Sequence, residues 1–137
     1  MTRHVVATVE QIPPGERMLV KVQGREIGIF NIGGEFFAIG NRCPHNGASL
    51  CKGRIVGLVE AAEPGSYQFS RRGEFVRCPW HGWEFDLRTG KSRCEPDRTK
   101  VRSYEAKVEL GGTLADDTLR AETFPVSVEQ QYVVVEV

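Results

Sequence analysis

Two short cysteine motifs limit the possible folds of this chain more than any other feature of its sequence. Cys43-Pro44-His45 and Cys78-Pro79-Trp80-His81 each begin where a candidate strand ends, and each offers one thiolate and one imidazole. These are common protein ligands of zinc and iron. If all four side chains bind one metal centre, the two loops must face each other, although the 32 residues from Asn46 to Arg77 separate the motifs.

The rest of the sequence has the pattern of short strands separated by turns. Stretches rich in β-branched and aromatic residues recur, and no window of helical period and useful length competes with them. The candidate strands are Val5–Val9, Met18–Val22, Glu26–Asn31, Glu35–Ile39, Tyr67–Ser70, Glu74–Arg77, Trp83–Leu87, Val101–Leu110 and Tyr132–Val137. The predicted turns are Gln23-Gly24, Gly33-Gly34, Arg71-Arg72-Gly73 and Arg88-Thr89-Gly90, and the one helical candidate is Leu114–Glu122. The sequence therefore predicts an all-β protein.

Length, charge and hydropathy narrow the class of protein. A chain of 137 residues suits one domain with a modest core, so we predict a single domain over residues 1–137. The 18 basic and 18 acidic residues cancel, and no Lys/Arg block marks a nucleic-acid or anionic-membrane surface. No segment approaches the roughly 18 apolar residues that span a bilayer, and the N-terminus lacks the apolar core of a secretory signal. These features predict a cytoplasmic protein with no nucleic-acid or membrane partner.

The four candidate ligands suit two kinds of metal centre. Two Cys and two His match a [2Fe–2S] centre in which two thiolates hold one iron and two imidazoles hold the other. Gly47 and Gly82 fit a backbone that wraps closely around inorganic sulfide. A structural zinc site uses the same donors, but paired zinc ligands are usually about two to four residues apart, and only Pro44 separates Cys43 from His45. Spacing therefore favours the iron–sulfur centre, with zinc as the alternative.

The residues around both motifs resemble those of a known family. The runs Cys43 to Leu50 and Cys78 to Asp86 look like the two cluster-binding loops of Rieske ferredoxins and of the Rieske domains of ring-hydroxylating oxygenases. The flanks Gly34 to Ile39 and Gln131 to Val137 are also similar, so the resemblance covers nearly the whole chain. It implies a fold of three small antiparallel sheets with a Rieske-type [2Fe–2S] cluster between two loops at one tip. The ligands that the motifs and the resemblance indicate are Cys43, His45, Cys78 and His81.

The chain departs from this family between the two motifs, where it is longer than a compact Rieske ferredoxin. We expect the extra residues in an insertion around 55–75, with Glu63-Pro64-Gly65 as a turn of an elongated hairpin or flap. Such a segment could shape partner docking or be a passive surface elaboration, because loops tolerate insertion at low cost. The remaining cysteines, Cys51 and Cys94, are expected to be thiols in a reducing compartment.

The resemblance implies a one-electron carrier rather than a catalyst. In this interpretation a flavin-dependent reductase supplies electrons to the cluster and a terminal oxygenase takes them. The alternatives are a small Rieske subunit of an oxidoreductase, such as a nitrite-reductase-like complex, and a redox sensor or scaffold in which the cluster is structural. Because the total charge is balanced, docking is expected to depend more on the loop tips at Pro44, Pro79 and Trp80 than on long-range steering.

Overall fold

The part of the chain that the structure describes contains ten strands in three antiparallel sheets, which confirms the all-β prediction. The computed structural model describes residues 3–44, 47–63, 66–80, 82–93, 96, 98–111 and 130–137, and between 57 and 73 it describes the backbone alone. The strands are β1 (Arg3–Thr8), β2 (Arg17–Val22), β3 (Arg25–Ile32), β4 (Glu35–Gly40), β5 (Arg54–Glu63), β6 (Ser66–Arg77), β7 (Glu84–Asp86), β8 (Ser103–Tyr104), β9 (Ala106–Leu110) and β10 (Gln131–Glu136). The helical candidate Leu114–Glu122 lies outside the described residues.

Two glycine-containing turns connect the strands of the second sheet as predicted. The sheet orders are β1-β10-β9, β2-β3-β4-β8 and β5-β6-β7. Gln23 and Gly24 join β2 to β3 with φ of 50° and 78°, the left-handed values that a tight two-residue hairpin turn requires. Gly33 and Gly34 join β3 to β4, also with positive φ. No helix in the described ranges has the length and apolar character needed to cross a membrane.

The chain divides into two compact units. The first comprises Met1–Ile39 and Tyr104–Val137. Its core is one contiguous apolar cluster to which strands of the first two sheets contribute, for example Ala7 from β1, Ile27 and Ile29 from β3, and Val133 and Val135 from β10. β10 is the central strand of its sheet and is buried over four consecutive residues, so both of its faces are covered.

The second unit, Gly40–Ser103, contains both cysteine motifs and the third sheet. Its buried apolar side chains include Leu50 after the first motif, and Val76, Phe85 and Leu87 on either side of the second. Apolar packing therefore anchors the chain directly beside both candidate ligand loops. The single domain over 1–137 stays a prediction.

The segment between the motifs forms a long hairpin of β5 and β6. The pairing runs from Arg54 opposite Arg77 to Glu63 opposite Ser66, and Pro64 and Gly65 of the predicted turn lie outside the described residues. The predicted break at Arg71-Arg72-Gly73 is wrong, because β6 continues through these residues. Val56 pairs with Phe75 and Leu58 with Ser70, so residues 71–74 stand opposite Gly57 alone. The turn-forming residues are accommodated as a bulge, which inserts extra residues into one strand without ending it.

Candidate functional site

Backbone hydrogen bonds close the loop that presents the first cysteine. The N–H of Cys43 donates to the carbonyl of Ala48 at 2.9 Å, and the N–H of Gly47 donates to the carbonyl of Cys43 at 2.7 Å. Gly47 has a φ of 76°, which residues with a side chain rarely adopt. Cys43 is 2% exposed, whereas Pro44 and Gly47 are exposed at the surface. The thiol therefore lies under an exposed loop tip.

The second loop repeats the same frame. The N–H of Cys78 donates to the carbonyl of Trp83 at 2.6 Å, and the N–H of Gly82 donates to the carbonyl of Cys78 at 3.2 Å. Gly82 also has a φ of 76°, and Cys78 is 1% exposed. Both loops thus place a buried cysteine four residues before a glycine in the left-handed region.

The two predicted histidine ligands are not part of this geometry. His45 and His81 lie outside the described residues, as does Cys94. Within the described part of the chain, no three His, Cys, Asp or Glu side chains group together as a metal site, and each loop contributes one buried thiol. A Cβ on Gly47 would meet nothing within 4 Å, and one on Gly82 would meet only the Arg77 side chain at 4.0 Å. Each loop thus combines a buried thiol with open space at its glycine, which suits a bulky metal–sulfide group.

A buried asparagine that the sequence analysis did not identify holds the first loop together. Asn41 is 1% exposed, and its amide nitrogen lies 3.0 Å from the hydroxyl oxygen of Ser49. Its Oδ1 accepts the N–H of Cys51 at 2.8 Å, and its backbone carbonyl accepts the N–H of Leu50 at 2.7 Å. Asn41 therefore ties the incoming arm of the loop to the outgoing arm. The available signal was a polar residue two positions after the apolar run Phe36–Ile39 and two before Cys43.

Asn41→Ala should lower the stability of the protein and loosen the first cysteine loop. Asn31→Ala is the matched control. Asn31 is 2% exposed and also makes buried hydrogen bonds, to the Ile12 carbonyl at 2.7 Å and from the Gly34 N–H at 2.8 Å. Each substitution should lower the free energy of unfolding by about 1–3 kcal/mol, because buried partners lose their hydrogen bonds. Only Asn41→Ala should speed the loss of iron, measured as the decay of cluster absorbance under a chelator. Equal decay in the two variants would contradict the role assigned to Asn41.

Gly53 is a second residue that the sequence analysis did not identify, and it brings the flanks of the two loops together. It follows the 3-10 helical turn Leu50–Lys52 at the end of the first loop. A Cβ placed on it would lie 2.1 Å from the carbonyl oxygen of Arg77, the residue before Cys78, and 3.0 Å from a methyl group of Val76. Only a residue without a side chain permits this approach, so Gly53 sets how closely the first loop's exit meets the second loop's entrance.

An arginine precedes each cysteine and contacts the loop that follows it. Nη1 of Arg42 donates to the Gly47 carbonyl at 3.1 Å. Nη2 of Arg77 pairs with Oε2 of Glu84 at 3.0 Å, and Nη1 of Arg93 pairs with the other oxygen of Glu84 at 2.5 Å. Positive charge therefore lies beside both loops, and one half-buried carboxylate is shared between two guanidinium groups.

The two tryptophans near the second motif differ in exposure. Trp80 is 68% exposed and stands next to the exposed Pro79, whereas Trp83 is half-buried and closes the loop frame through its carbonyl. Trp80, Pro44 and Pro79 are the residues predicted to form the docking tip. All three are exposed, and the cysteines beside them in sequence are buried.

Comparisons with known proteins match this arrangement. A family model described as the Rieske [2Fe-2S] domain matches residues 2–105. The ferredoxin component of the naphthalene 1,2-dioxygenase/salicylate 5-hydroxylase systems of Ralstonia sp is 31% identical over 103 residues, 75% of this chain and 84% of that protein. The 3-phenylpropionate/cinnamic acid dioxygenase ferredoxin subunit of Escherichia coli (strain K12) is 32% identical over 116 residues, 85% of this chain and 94% of that protein.

Among solved structures, the ferredoxin of carbazole 1,9a-dioxygenase from Nocardioides aromaticivorans IC177 is similar, with a TM-score of 0.62, 25% identity and coverage of 97% of both chains. The predicted family and the predicted cofactor, a Rieske-type [2Fe–2S] cluster rather than zinc, are confirmed. With two buried cysteines in matching loops and a family match over most of its length, this chain belongs to the Rieske [2Fe-2S] domain family.

Proposed function

We propose that this chain is a one-electron carrier, a ferredoxin that passes electrons from a flavin-dependent reductase to a terminal oxygenase. The observation that carries the proposal is the pair of buried cysteines, Cys43 and Cys78, directly beneath exposed loop tips. Such a site suits electron exchange with a partner protein that contacts the loop tips. Both relatives described above are ferredoxin components of dioxygenase systems, which supports the same function.

In this proposal the cluster ligands are Cys43 and Cys78 on one iron and His45 and His81 on the other. The cluster supplies the exchange of single electrons between two oxidation states. The chain buries the thiols, closes each loop with the N–H of its cysteine, and places arginines beside both loops. Burial and nearby charge are the means by which a protein tunes such a centre.

The histidine count argues against catalysis by this chain alone. Oxygen activation at a non-haem iron uses an open mononuclear site, usually two His and one carboxylate. The chain has three histidines, and if His45 and His81 hold the cluster only His4 remains. A site of that kind cannot then be assembled within one chain, so oxygenation takes place on the partner.

The proposed docking point is the tip formed by Pro44, Pro79 and Trp80. Trp80 is 68% exposed and is separated from Cys78 by Pro79 alone. A large aromatic side chain at the centre of a contact typically provides much of the binding energy. An electron that leaves through this tip travels only a short distance between the cluster and the partner. The same tip serves reductase and oxygenase in turn, since the carrier dissociates between the two encounters.

Reconstitution tests the carrier function. A terminal oxygenase and a flavin-dependent reductase of a ring-hydroxylating system should turn over their aromatic substrate only when the holoprotein is added, because electrons otherwise have no path between them. Cys78→Ser protein, which lacks a ligand, should leave turnover at background. Chemically reduced holoprotein with substrate and oxygen but no second protein should yield no product.

Two outcomes would contradict the carrier assignment. Stoichiometric product from the reduced protein alone would make it a catalyst. Turnover unaffected by the holoprotein, together with stable incorporation into a nitrite-reducing complex, would favour the alternative of a small subunit of an oxidoreductase.

A further inference from the structure

The charge of the chain is divided unequally between its two units, although the total is zero. Residues 40–103, the unit with both cysteine motifs, contain 12 Lys and Arg but 7 Asp and Glu. The remaining residues contain 6 Lys and Arg and 11 Asp and Glu. The cluster unit therefore has a formal charge of +5 and the other unit a charge of −5.

Burial increases this difference at the surface. In the cluster unit, all ten basic side chains that the structure describes are exposed. The three acidic side chains that it describes there are not: Asp86 is buried, and Glu74 and Glu84 are half-buried. The described surface of this unit thus presents cations to solvent, while its described carboxylates are largely covered.

These three carboxylates are also engaged with their own unit. Glu84 pairs with Arg77 and Arg93, and Glu74 pairs with the guanidinium group of Arg88. Oδ1 of Asp86 accepts the backbone N–H of Arg88 at 2.9 Å. One carboxylate shared by two guanidinium groups leaves net positive charge at that point, and the local ion pairs do not cancel the positive surface.

Two arginines directly precede the two ligand cysteines. Arg42 directly precedes Cys43 and is held on the Gly47 carbonyl. Arg77 directly precedes Cys78, and its Cδ lies 4.0 Å from the position a Cβ on Gly82 would take. Cations thus border both exposed loop tips.

We propose that the cluster unit docks through this basic surface onto an acidic patch of a redox-partner protein. The proposal rests on the proposed carrier function and specifies the partner's surface: carboxylates around an apolar pocket that receives Trp80. Oppositely charged surfaces raise association rates by about 10- to 1000-fold and orient the encounter. Electrostatic steering is therefore part of docking in this proposal, although the total charge of the chain is zero.

Voltammetry of the holoprotein on two charged electrodes tests this surface. Gold coated with a carboxylate-terminated monolayer represents the acidic partner. Gold coated with an ammonium-terminated monolayer has the opposite charge and is the control. At about 0.01 M ionic strength, where screening extends over about 30 Å, electron exchange should be at least about tenfold faster on the carboxylate surface. The difference should disappear near 1 M salt, where the screening length is about 3 Å.

Matched charge reversals locate the surface on the cluster unit. Lys52→Glu/Arg54→Glu changes two exposed cations just after the first loop, and Lys21→Glu/Arg25→Glu makes the same change at two exposed cations of the other unit. The first variant should lose most of the preference for the carboxylate electrode, and the second should keep it. If Lys52→Glu/Arg54→Glu does not retain the visible spectrum of the cluster, Lys91→Glu/Lys100→Glu reverses two exposed cations of the same unit and should give the same loss.

The outcomes separate this inference from the carrier function beneath it. No reversible one-electron wave on either electrode would overturn both. A reversible wave with equal rates on the two electrodes, or equal losses in the two double variants, would overturn the acidic-partner proposal alone. Tighter binding of the holoprotein to a short DNA duplex than to poly-L-glutamate at the same salt would also overturn it, because the surface would then be a nucleic-acid site.

Discussion

Purified Cys78→Ser protein should contain neither iron nor acid-labile sulfide, and Cys43→Ser should behave in the same way. Each cysteine is the one thiol of its loop and is buried within a closed backbone frame. No other residue of the loop can therefore supply the lost thiolate. A serine hydroxyl is far harder to deprotonate than a thiol and is a poor ligand for an iron–sulfide centre. Iron and sulfide assays on anaerobically purified protein measure the effect directly.

Cys51→Ser is the matched control. Cys51 lies eight residues after Cys43, half-buried in the 3-10 helical turn Leu50–Lys52, and its backbone N–H donates to Asn41, a hydrogen bond that serine also makes. This variant should keep two irons and two sulfides per chain, as the [2Fe–2S] centre of the family requires. Full cluster content in Cys43→Ser or Cys78→Ser would refute the ligand assignment, and so would its loss in Cys51→Ser alone.

The histidine ligands are tested by the same assays. His45→Ala and His81→Ala should each abolish stable cluster incorporation, because an iron that loses an imidazole has no other histidine nearby in sequence. His4→Ala, in β1 of the other unit, should leave the cluster content unchanged. A cluster that survives His81→Ala with an unaltered electron paramagnetic resonance spectrum would remove His81 from the ligand set.

Gly53→Ala should cause the second large loss of cluster, although Gly53 is not itself a ligand. The added methyl group would start 2.1 Å from the Arg77 carbonyl oxygen, and normal contact requires the two backbones to separate by about 1 Å. Functional sites tolerate displacements of only about 0.5 Å. We therefore expect lower iron content, together with a loss of about 1–3 kcal/mol in the free energy of unfolding from overpacking.

Gly40→Ala is the control, because it also adds a methyl group close to the first cysteine loop. Gly40 ends β4, and a Cβ there would meet its nearest described atoms, in Arg102 and Val101, at ordinary contact distances of 3.8–3.9 Å. This variant should keep full iron content and near-normal stability, measured by chemical denaturation. If Gly40→Ala and Gly53→Ala retain iron equally, the close approach at Gly53 does not control the spacing of the loops.

Several parts of the fold followed from local sequence because they depend on local chemistry. Both turns, Gln23-Gly24 and Gly33-Gly34, adopt positive φ. Because glycine adopts positive φ without steric cost, the glycines in them made these turns predictable from residue type. The positions of β1 to β4, β7 and β10 followed from runs of β-branched and aromatic residues. Residue type and spacing in the two motifs likewise indicated the cluster family before any tertiary contact was known.

Other features went unpredicted because they depend on which segments meet. Arg71-Arg72-Gly73 has turn composition, yet pairing between β5 and β6 carries the strand through it as a bulge. Val101–Leu110 alternates as one strand, yet it is divided at Glu105 into β8 and β9, which belong to different sheets. Local pattern reports the preference of a segment, but hydrogen-bonding partners distant in sequence decide where a strand ends.

By itself the sequence determined the class of fold, the family and the four candidate ligands, since each depends on the identity and spacing of nearby residues. Only the tertiary structure decided that Asn41 ties the first loop, that Gly53 meets the backbone before the second, and that the exposed charge of the cluster unit is positive. Burial and close approach arise between segments far apart in the chain. The total charge of the sequence is zero, and only the division of the folded chain into two units shows that one is positive and the other negative.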